Sequence, residues 1–422
     1  MMPAPRESVR LAMAAGRGWI RRYFAVFALA AAVPAAVFLA RELPSSKILP
    51  MIGADFRRFA GEKAAVGPGP AAVPAVPHKK VPGFVRGLYV TSSTAGDARR
   101  FEDLVKMAER AGINTLVIDI KNDNGDIAFA PADPELKPYA AEKMPIADPD
   151  AFTRRLHDRG FYLIARQFVF QDPAYVARHP EQAVRRAGGA LWRNNHGVPW
   201  IDAAARDAWQ YNAAIAKDAH GSGFDEIQFD YVRFPSDGKI SDMRFPFYDG
   251  KTPKAEIMGN FFAYLDDELR VKNGIAISVD LFGLVMWQHE HDLGIGQRLS
   301  DAVPHFDYVS PMVYPSHYPP GFDGYANPAL FPYEIVYKNL VRGRSVFEAA
   351  AATRVSDRVA AGEKDPAPPP VASVRPWIQD FTLGAVYTPD MVRAQIKASI
   401  DGGASGWLLW NARNVYTESA LK

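Results

Sequence analysis

Two aspartates lie in apolar, strand-like runs of the chain. Asp230 belongs to the run EIQFDYV and Asp280 to the run AISVDLF. A carboxylate inside such a run is costly to bury unless it is paired, so its recurrence at equivalent places predicts one shared polar pocket. Two carboxyls in one pocket can hydrolyse an acetal, because a protonated one donates to the leaving oxygen while an ionised one attacks or activates water. Asp230 and Asp280 are therefore the predicted catalytic residues.

Other polar side chains and several aromatic rings occupy similar places near the ends of apolar runs. Arg166 or Arg233 beside Asp230 would keep that carboxyl ionised by lowering its pKa. Flat rings with a polar edge suit the faces of sugars. The predicted substrate-binding residues are Asp119, Lys121, Arg166, Arg233, Tyr314, Trp377, Gln379, Asp380 and Trp410.

Short β-branched and aromatic runs alternate with helical patterns from residue 85 onward, which is typical of a parallel sheet with crossover helices. Such an alternation over about 335 residues predicts a (β/α)8 TIM barrel with enlarged loops, whose strands end at one shared mouth. An open doubly wound sheet is the alternative, but no glycine-rich phosphate motif follows the first strand. The predicted strands are Val85–Val90, Thr115–Ile120, Tyr162–Phe168, Glu226–Val232, Ala276–Phe282, Tyr308–Tyr314, Arg375–Phe381 and Gly406–Trp410.

Helical patterns fill the intervals between these strands, and several end in a glycine that is typical of a left-handed helix cap. A Pro-rich insertion at about 343–373 interrupts the rhythm between the sixth helix and the seventh strand, and its composition indicates an exposed segment. The predicted helices are Ala98–Ala111, Pro149–Arg159, Ala203–His220, Lys254–Lys272, Ile295–Ala302, Pro328–Arg342 and Pro389–Asp401.

Structural roles are the alternatives for the candidate carboxylates. Asp230 and Arg233 could form an ion pair that ties the barrel rim, and Asp280 could cap a turn. Asp119 with Lys121 fits a supporting position better than a catalytic one. Glu290, in the loop just past Asp280, is a second candidate for the acid or base.

No metal or cofactor is predicted. The segment KNDNGD (121–126) resembles a calcium loop but lacks the distal glutamate, so we interpret it as a turn. His289 and His291 alternate in a loop without further ligands nearby. Ser310 and Ser316 lack the GxSxG context of a serine hydrolase, and the chain has no cysteine.

The N-terminal part of the chain is predicted to lie outside the folded domain. Residues 1–22 are basic, and an apolar segment at 23–41 is long enough to span a bilayer as a helix. An uncleaved membrane anchor that faces the periplasm or exterior and a cleaved signal sequence are both compatible with this pattern. Residues 42–82, with the run GPGPAAVPAVP, are predicted to form a linker. The barrel would then occupy residues 83–422.

The composition excludes some classes of protein. Hydrophobic residues make up 48% of the 422 residues and charged residues 23%, which rules out a mostly disordered chain. The net charge is only +2, with 49 basic and 47 acidic residues. Because nucleic-acid-binding domains usually have a clear basic excess, a nucleic-acid partner is not expected.

Several motifs in order resemble a bacterial family of glycoside-hydrolase-like (β/α)8 barrels long described as a domain of unknown function. The resemblance covers about residues 84–415. It implies that Asp230 is the strand-4 carboxylate, where related barrels place a nucleophile, and that Asp280 is the strand-5 carboxylate, where many relatives carry glutamate. The motifs include VRGLYVTS (85–92), NTLVIDIKNDNG (114–125), ARQFVFQDP (165–173), GFDEIQFDYVRFP (223–235), VDLFG (279–283), YVSPMVYPSHY (308–318) and RPWIQDF (375–381).

The expected function is hydrolysis of a glycosidic bond in a cell-envelope or extracellular polysaccharide by Asp230 and Asp280. A non-catalytic glycan-binding barrel of the cell envelope is the alternative, in which the two carboxyls would be far apart or held in ion pairs. An envelope scaffold protein would instead expose a large apolar patch.

Overall fold

Parallel strands alternate with helices throughout residues 76–360 and 371–422, the parts of the chain that the computed structural model describes. Within them eight strand positions pair in the order β7-β8-β1-β2-β3-β4-β5-β6, and β6 pairs with β7 to close the barrel. The predicted (β/α)8 barrel is confirmed. The strands are β1 (Val85–Val90), β2 (Thr115–Lys121), β3 (Tyr162–Phe168), β4 (Glu226–Asp230), β5 (Ala276–Phe282), β6 (Tyr308–Met312), β7 (Trp377–Gln379) and β8 (Gly406–Trp410).

β2 extends one residue further than predicted, to Lys121, and β6 ends early, at Met312. Two other strands differ from the prediction for backbone reasons. β4 ends at Asp230 because Tyr231 adopts a left-handed conformation, with φ of 56°, which no strand can continue. β7 is preceded by a separate short strand, Ser373–Val374, which pairs with β6. Pro376 lies between the two pieces, and its missing N–H group interrupts the hydrogen-bond ladder.

The helices pack around the barrel, and three of them begin at a residue whose side-chain oxygen accepts a backbone N–H: Asp97, Asp148 and Thr388. α6 is longer than predicted, since the alanine-rich stretch continues it to Ala360. Residues 361–370 of the predicted insertion lie outside the described residues. The helices between the barrel strands are α1 (Ala98–Arg110), α2 (Pro149–Asp158), α3 (Arg206–Gly221), α4 (Lys254–Leu265), α5 (Leu299–Ala302), α6 (Pro332–Ala360) and α7 (Pro389–Asp401), with a π-helical turn at Asp266–Val271. Two further short helices, Ser92–Gly96 and Pro173–Arg178, lie in the loops after β1 and β3.

The chain enters the barrel along its N-terminal side. Val76 is buried against Gly223, whose positive φ of 94° and lack of a side chain allow this close approach. The Lys79 N–H donates to Asp225 at 2.7 Å, and the His78 ring stacks on His220. Residues 76–82, which the composition assigns to a linker, therefore pack against the barrel. The predicted basic segment 1–22, the membrane or signal segment 23–41 and residues 42–75 lie outside the described residues.

Over the described ranges, no helix combines the length and the apolar composition needed to cross a membrane.

Residues of β4 alternate between the inside and the outside of the barrel, as the two-residue period of a strand requires. Glu226, Gln228 and Asp230 contact polar side chains of other strands within the barrel. Ile227 and Phe229 point to the opposite side and belong to the apolar core beneath the helices. β4 therefore presents a polar side chain to each of three successive layers of the barrel interior, and the uppermost of these contains Asp230.

The lowest layer is a buried ion pair. Glu226 and Arg375 have no exposed side-chain surface, and the Arg375 guanidinium donates to both carboxylate oxygens. Ser278 Oγ donates to the same carboxylate at 2.5 Å and the Tyr162 hydroxyl at 3.2 Å. The pair closes the barrel below the site, and its donors satisfy a carboxylate that would otherwise be costly to bury.

Replacing Arg375 with methionine should destabilise the protein by about 3–5 kcal/mol, because Glu226 would be left as an uncompensated buried charge. The double variant Arg375→Met with Glu226→Met should recover at least half of that loss. Urea unfolding of the variants and the wild type measures both effects. A double variant no more stable than Arg375→Met alone would contradict this account of the layer.

Candidate active site

The C-terminal mouth of the barrel encloses a cavity of about 760 Å³. Its volume is within the range of small-molecule binding sites. Strand ends supply the floor, and the loops after β1, β2, β3, β4, β6 and β8 supply the walls. Most of the predicted site residues line it: Asp119, Arg166, Asp230, Arg233, Asp280, Tyr314, Trp377 and Trp410.

Arg166, on β3, lies at the centre of the cavity floor and contacts three carboxylates. Its Nη1 donates to Asp119 Oδ1 at 2.5 Å, its Nη2 donates to Asp230 Oδ2, and its Nε lies 3.4 Å from Asp280 Oδ2. A planar guanidinium with five N–H donors can serve several carboxylates at once, as a lysine could not. The two predicted catalytic carboxyls therefore share one cation.

Asp280 is the most deeply buried of the three acids, with 1% of its surface exposed. Burial raises its pKa well above the usual range, the nearby Asp230 carboxylate raises it further, and Arg166 opposes both effects. Trp377 Nε1 donates to Asp280 Oδ1 at 2.7 Å, so Oδ1 must remain an acceptor. The other oxygen, Oδ2, faces the Nε–H group of Arg166.

Asp230 accepts two hydrogen bonds of different origin. Besides the bond from Arg166, its Oδ1 accepts the Tyr231 backbone N–H at 2.6 Å. Both oxygens therefore act as acceptors, one towards a cation and one towards the backbone. Asp230 and Asp280 thus face one cavity in unlike surroundings.

Asp119 supports Arg166 from the side of β2. The Tyr89 hydroxyl donates to Asp119 Oδ2 at 2.5 Å, and Arg166 occupies Oδ1. Burial raises the pKa of Asp119, while Arg166 and Tyr89 lower it. With each oxygen engaged by the protein, Asp119 orients the guanidinium, in agreement with the supporting position that its sequence context favours.

Arg233 is not the ionic partner of Asp230. Its guanidinium lies 4.8 Å from the centre of the Trp200 ring and donates to Ser236 Oγ at 2.8 Å. The chain turns at Tyr231 directly after Asp230, which separates the two side chains despite their closeness in sequence. Of the two arginines that the sequence analysis offered as partners of Asp230, Arg166 forms the ion pair.

Aromatic rings form one wall of the cavity. Trp410 stacks on Tyr89 with ring centres 3.9 Å apart, and Trp377 meets the Trp410 ring edge-on at 5.5 Å. The Arg166 guanidinium lies 5.0 Å from the Trp410 ring centre. Tyr314 is buried within the same wall. The rings and the carboxylates thus lie side by side.

Lys121 lies outside the cavity. A bulge in β2 shifts the register, so that Asp119 pairs with Arg166 but Lys121 pairs with Gln167, on the outer side of the barrel. Its ammonium group is buried there, 2.6 Å from Asp172. The prediction that Lys121 binds substrate does not fit this placement.

Gln379 and Asp380 also lie outside the cavity, where they hold loops. The side chain of Gln379 accepts the Ser316 N–H and hydroxyl, and its backbone is bonded to Gln395. Asp380 accepts both the backbone N–H and the hydroxyl of Thr417 at 2.7 Å. Strand-end position alone therefore did not identify which polar residues face the cavity.

Several cavity residues come from loops and were not predicted. Glu290, the alternative acid or base, is exposed and is not among the lining residues. Ser310 and Ser316 also do not line the cavity. The unpredicted residues include Asn122, Asp123, Asn124, Gln171, Asn194, His196, Tyr231, Ser236, Asp237 and His317. Asn194, His196, Ser236 and Asp237 lie outside the family motifs, whereas the others fall within them but gave no sign that they would face the cavity.

The segments with metal-like spacing have other contacts. In 121–126 the Asn122 side chain accepts the N–H groups of Asn124 and Asp126, which forms a turn. The His289 ring contacts the Met286 carbonyl. Across residues 76–360 and 371–422, no group of three histidine or acidic side chains is placed to hold a metal ion.

A (β/α)8 barrel with carboxylates and aromatic rings at its C-terminal mouth is an architecture of carbohydrate-cleaving hydrolases. Residues 87–416 match the model of a family described as "Putative glycosyl hydrolase domain". The chain belongs to this family, which confirms the resemblance seen in its motifs. A comparison with curated proteins finds no match.

Solved structures include similar chains. A hypothetical protein from Ruminiclostridium thermocellum ATCC 27405 is 35% identical, with 46% of this chain and 96% of that chain covered and a TM-score of 0.41. The PgaB (BpsB) glycoside hydrolase domain from Bordetella bronchiseptica is 14% identical, with 78% and 95% covered and a TM-score of 0.52, and it supports the fold alone. The α-galactosidase TtGalA from Thermus thermophilus is 13% identical, with 82% of this chain and 63% of that chain covered and a TM-score of 0.47.

His317, in the cavity wall, should make the protein less stable in mild acid. Burial lowers the pKa of its ring to about 4. Below about pH 6.5 the ring therefore binds a proton in the unfolded chain but stays neutral in the folded protein. Stability should therefore fall between pH 6.5 and 4, by on the order of 1 kcal/mol at pH 5 because the ring is partly screened by solvent.

The variant His317→Gln should lose this component of the pH dependence. Denaturant unfolding at pH 7 and pH 5 of both proteins isolates it as the difference between their two pH effects. Equal pH effects in the wild type and the variant would show that His317 titrates normally.

Proposed function

We propose that the barrel hydrolyses a glycosidic bond in a polysaccharide, with Asp280 as the general acid and Asp230 as the nucleophile or as the base that activates water. The observation that carries the proposal is the unlike state of two carboxyls in one cavity. Asp280 has a raised pKa, and Asp230 accepts the charged hydrogen bond of Arg166. Such a difference between neighbouring carboxyls assigns the acid and the base in glycosidases.

In this mechanism the proton of the Asp280 carboxyl passes to the glycosidic oxygen as the bond from that oxygen to the anomeric carbon breaks. Asp230 then either attacks the anomeric carbon or removes a proton from the attacking water. Arg166 Nε and Trp377 Nε1 already face the two oxygens of Asp280, so they stabilise the carboxylate left after proton transfer. Water supplies the hydroxyl of one product, and Asp280 regains its proton.

The location of the substrate is part of the proposal. The apolar segment 23–41, preceded by arginines, supports export or membrane attachment of the barrel, and hence a cell-envelope or extracellular polysaccharide as the substrate. The aromatic wall of Trp410, Trp377 and Tyr89 supports a sugar as the ligand.

A glycan-binding protein without turnover is the second candidate. One observation favours it: Arg166 engages all three carboxylates, as expected for acids held in ion pairs rather than free for chemistry. That candidate predicts glycan binding with no release of product, and equal binding by the wild type and by Asp280→Asn. The two candidates therefore differ in turnover.

Asp230→Asn and Asp280→Asn should each lower the release of reducing ends from isolated envelope glycans by a factor of about 10² or more, since each removes one half of the acid–base pair. Asp380→Asn is the matched control, because that carboxylate holds a loop outside the cavity. The assay uses the full chain. Release by Asp230→Asn at the wild-type rate would remove Asp230 from the mechanism.

The raised pKa of Asp280 predicts the form of the pH profile. The acid must be protonated to donate, so kcat should fall on the alkaline side as Asp280 ionises. The profile of the residual activity in Asp280→Asn should lack that alkaline limb. An unchanged limb in the variant would assign it to another group.

A further inference from the structure

Tyr231 has a backbone conformation that its residue type disfavours. Its φ of 56° lies in the left-handed region, which glycine, asparagine and aspartate tolerate best. For a residue with a β-carbon this conformation costs roughly 1–2 kcal/mol. In this conformation the Tyr231 N–H donates to Asp230 Oδ1 at 2.6 Å. A glycine would supply the same N–H without strain, so the hydrogen bond alone does not account for a tyrosine here.

The Tyr231 ring lines the cavity and is only partly buried. One face of the ring stacks on the buried Phe168, with ring centres 4.5 Å apart and an angle of 18°. The Arg233 guanidinium lies 5.2 Å from the ring centre. These contacts hold the ring rigidly, so the stacking of a ligand on it would cost little side-chain conformational entropy.

Trp410 has the same arrangement on another side of the cavity floor. It lines the cavity, is partly buried, and stacks on the buried Tyr89 at 3.9 Å and 18°. The Arg166 guanidinium lies between the two pairs of rings, 4.7 Å from the Phe168 centre and 5.0 Å from the Trp410 centre. Tyr231 and Trp410 are therefore each supported by a more deeply buried ring, and the guanidinium that contacts the three acids lies near both pairs.

We propose that Tyr231 and Trp410 are stacking platforms for two consecutive sugars, one on each side of the bond at the carboxylates. The smallest ligand that contacts both rings is then a disaccharide unit within a chain. The sugars best suited are pyranoses with equatorial substituents, whose axial C–H groups form apolar faces that pack on aromatic rings. The inference rests on the proposed function and adds the number of sugars that the site recognises.

The test measures how affinity depends on ligand length. Full-length protein is titrated with β-1,4-linked glucose and N-acetylglucosamine oligomers of one to six units, followed by tryptophan fluorescence. In the wild type, affinity should rise at least tenfold from one sugar to two in one of the series. Tyr231→Gly keeps the N–H and relieves the strained φ but removes the ring, and it should abolish this step. Tyr231→Phe keeps the ring and should retain the step.

Two further measurements separate a platform from a packing residue. Leu293 also has a φ of 56°, but it is buried away from the cavity, so Leu293→Gly controls for the backbone change and should retain the step. A thermal midpoint of Tyr231→Gly at or above that of the wild type supports the platform. A lower midpoint with an unchanged step would assign the ring to packing and overturn the inference.

The result of the binding test does not depend on whether the protein cleaves a glycan. A step that depends on Tyr231 in a protein that cleaves no glycan supports the platform while contradicting the hydrolase. Cleavage by the wild type with an equal step in Tyr231→Gly overturns the platform and leaves the hydrolase intact. A wild type that binds neither series overturns the inference, because both series consist of pyranoses with equatorial substituents.

Discussion

The Arg166 guanidinium is a cation with almost no contact with water, and its position requires the carboxylates around it. Moving an isolated ion into a protein interior costs several kcal/mol, which only close and well-oriented opposite charges offset. Asp119 and Asp230 provide those charges from β2 and β4, and the Asp280 carboxyl adds an acceptor from β5. The reverse also holds, because three acids so close together would repel one another without the cation. The cluster therefore sets the relative positions of β2, β3, β4 and β5 at the mouth of the barrel.

One cation among three acids leaves a charge imbalance, and the protein resolves it by burial. The deepest acid, Asp280, is the one whose pKa burial raises most strongly, and Trp377 satisfies its other oxygen. Asp119 is fixed by Tyr89 and Arg166, so Asp230 is left as the acid nearest to a ligand. The difference between the acids thus arises from their depth and their neighbours, since all three are aspartates.

Much of this architecture could be predicted from the sequence. The strand runs and their order indicate the barrel, and polar residues at strand ends indicate the cavity that contains Asp230 and Asp280. Two of the errors came from single backbone events. The bulge in β2 turns Lys121 away from the mouth, and the left-handed Tyr231 separates Arg233 from Asp230. Neither event has a local signal such as glycine or proline. Residues such as His196 and Asp237 reach the cavity from loops, whose paths strand periodicity does not describe.

The central claim is that Asp280 is held protonated by burial and by the nearby Asp230 carboxylate. Titration of the Asp280 carboxyl by ¹³C NMR, in the wild type and in Asp230→Asn, tests it most directly. The account predicts that the wild-type Asp280 stays protonated well above the ordinary aspartate pKa of about 3.9, and that Asp230→Asn lowers its pKa. An Asp280 that titrates near the ordinary value in both proteins would contradict the account.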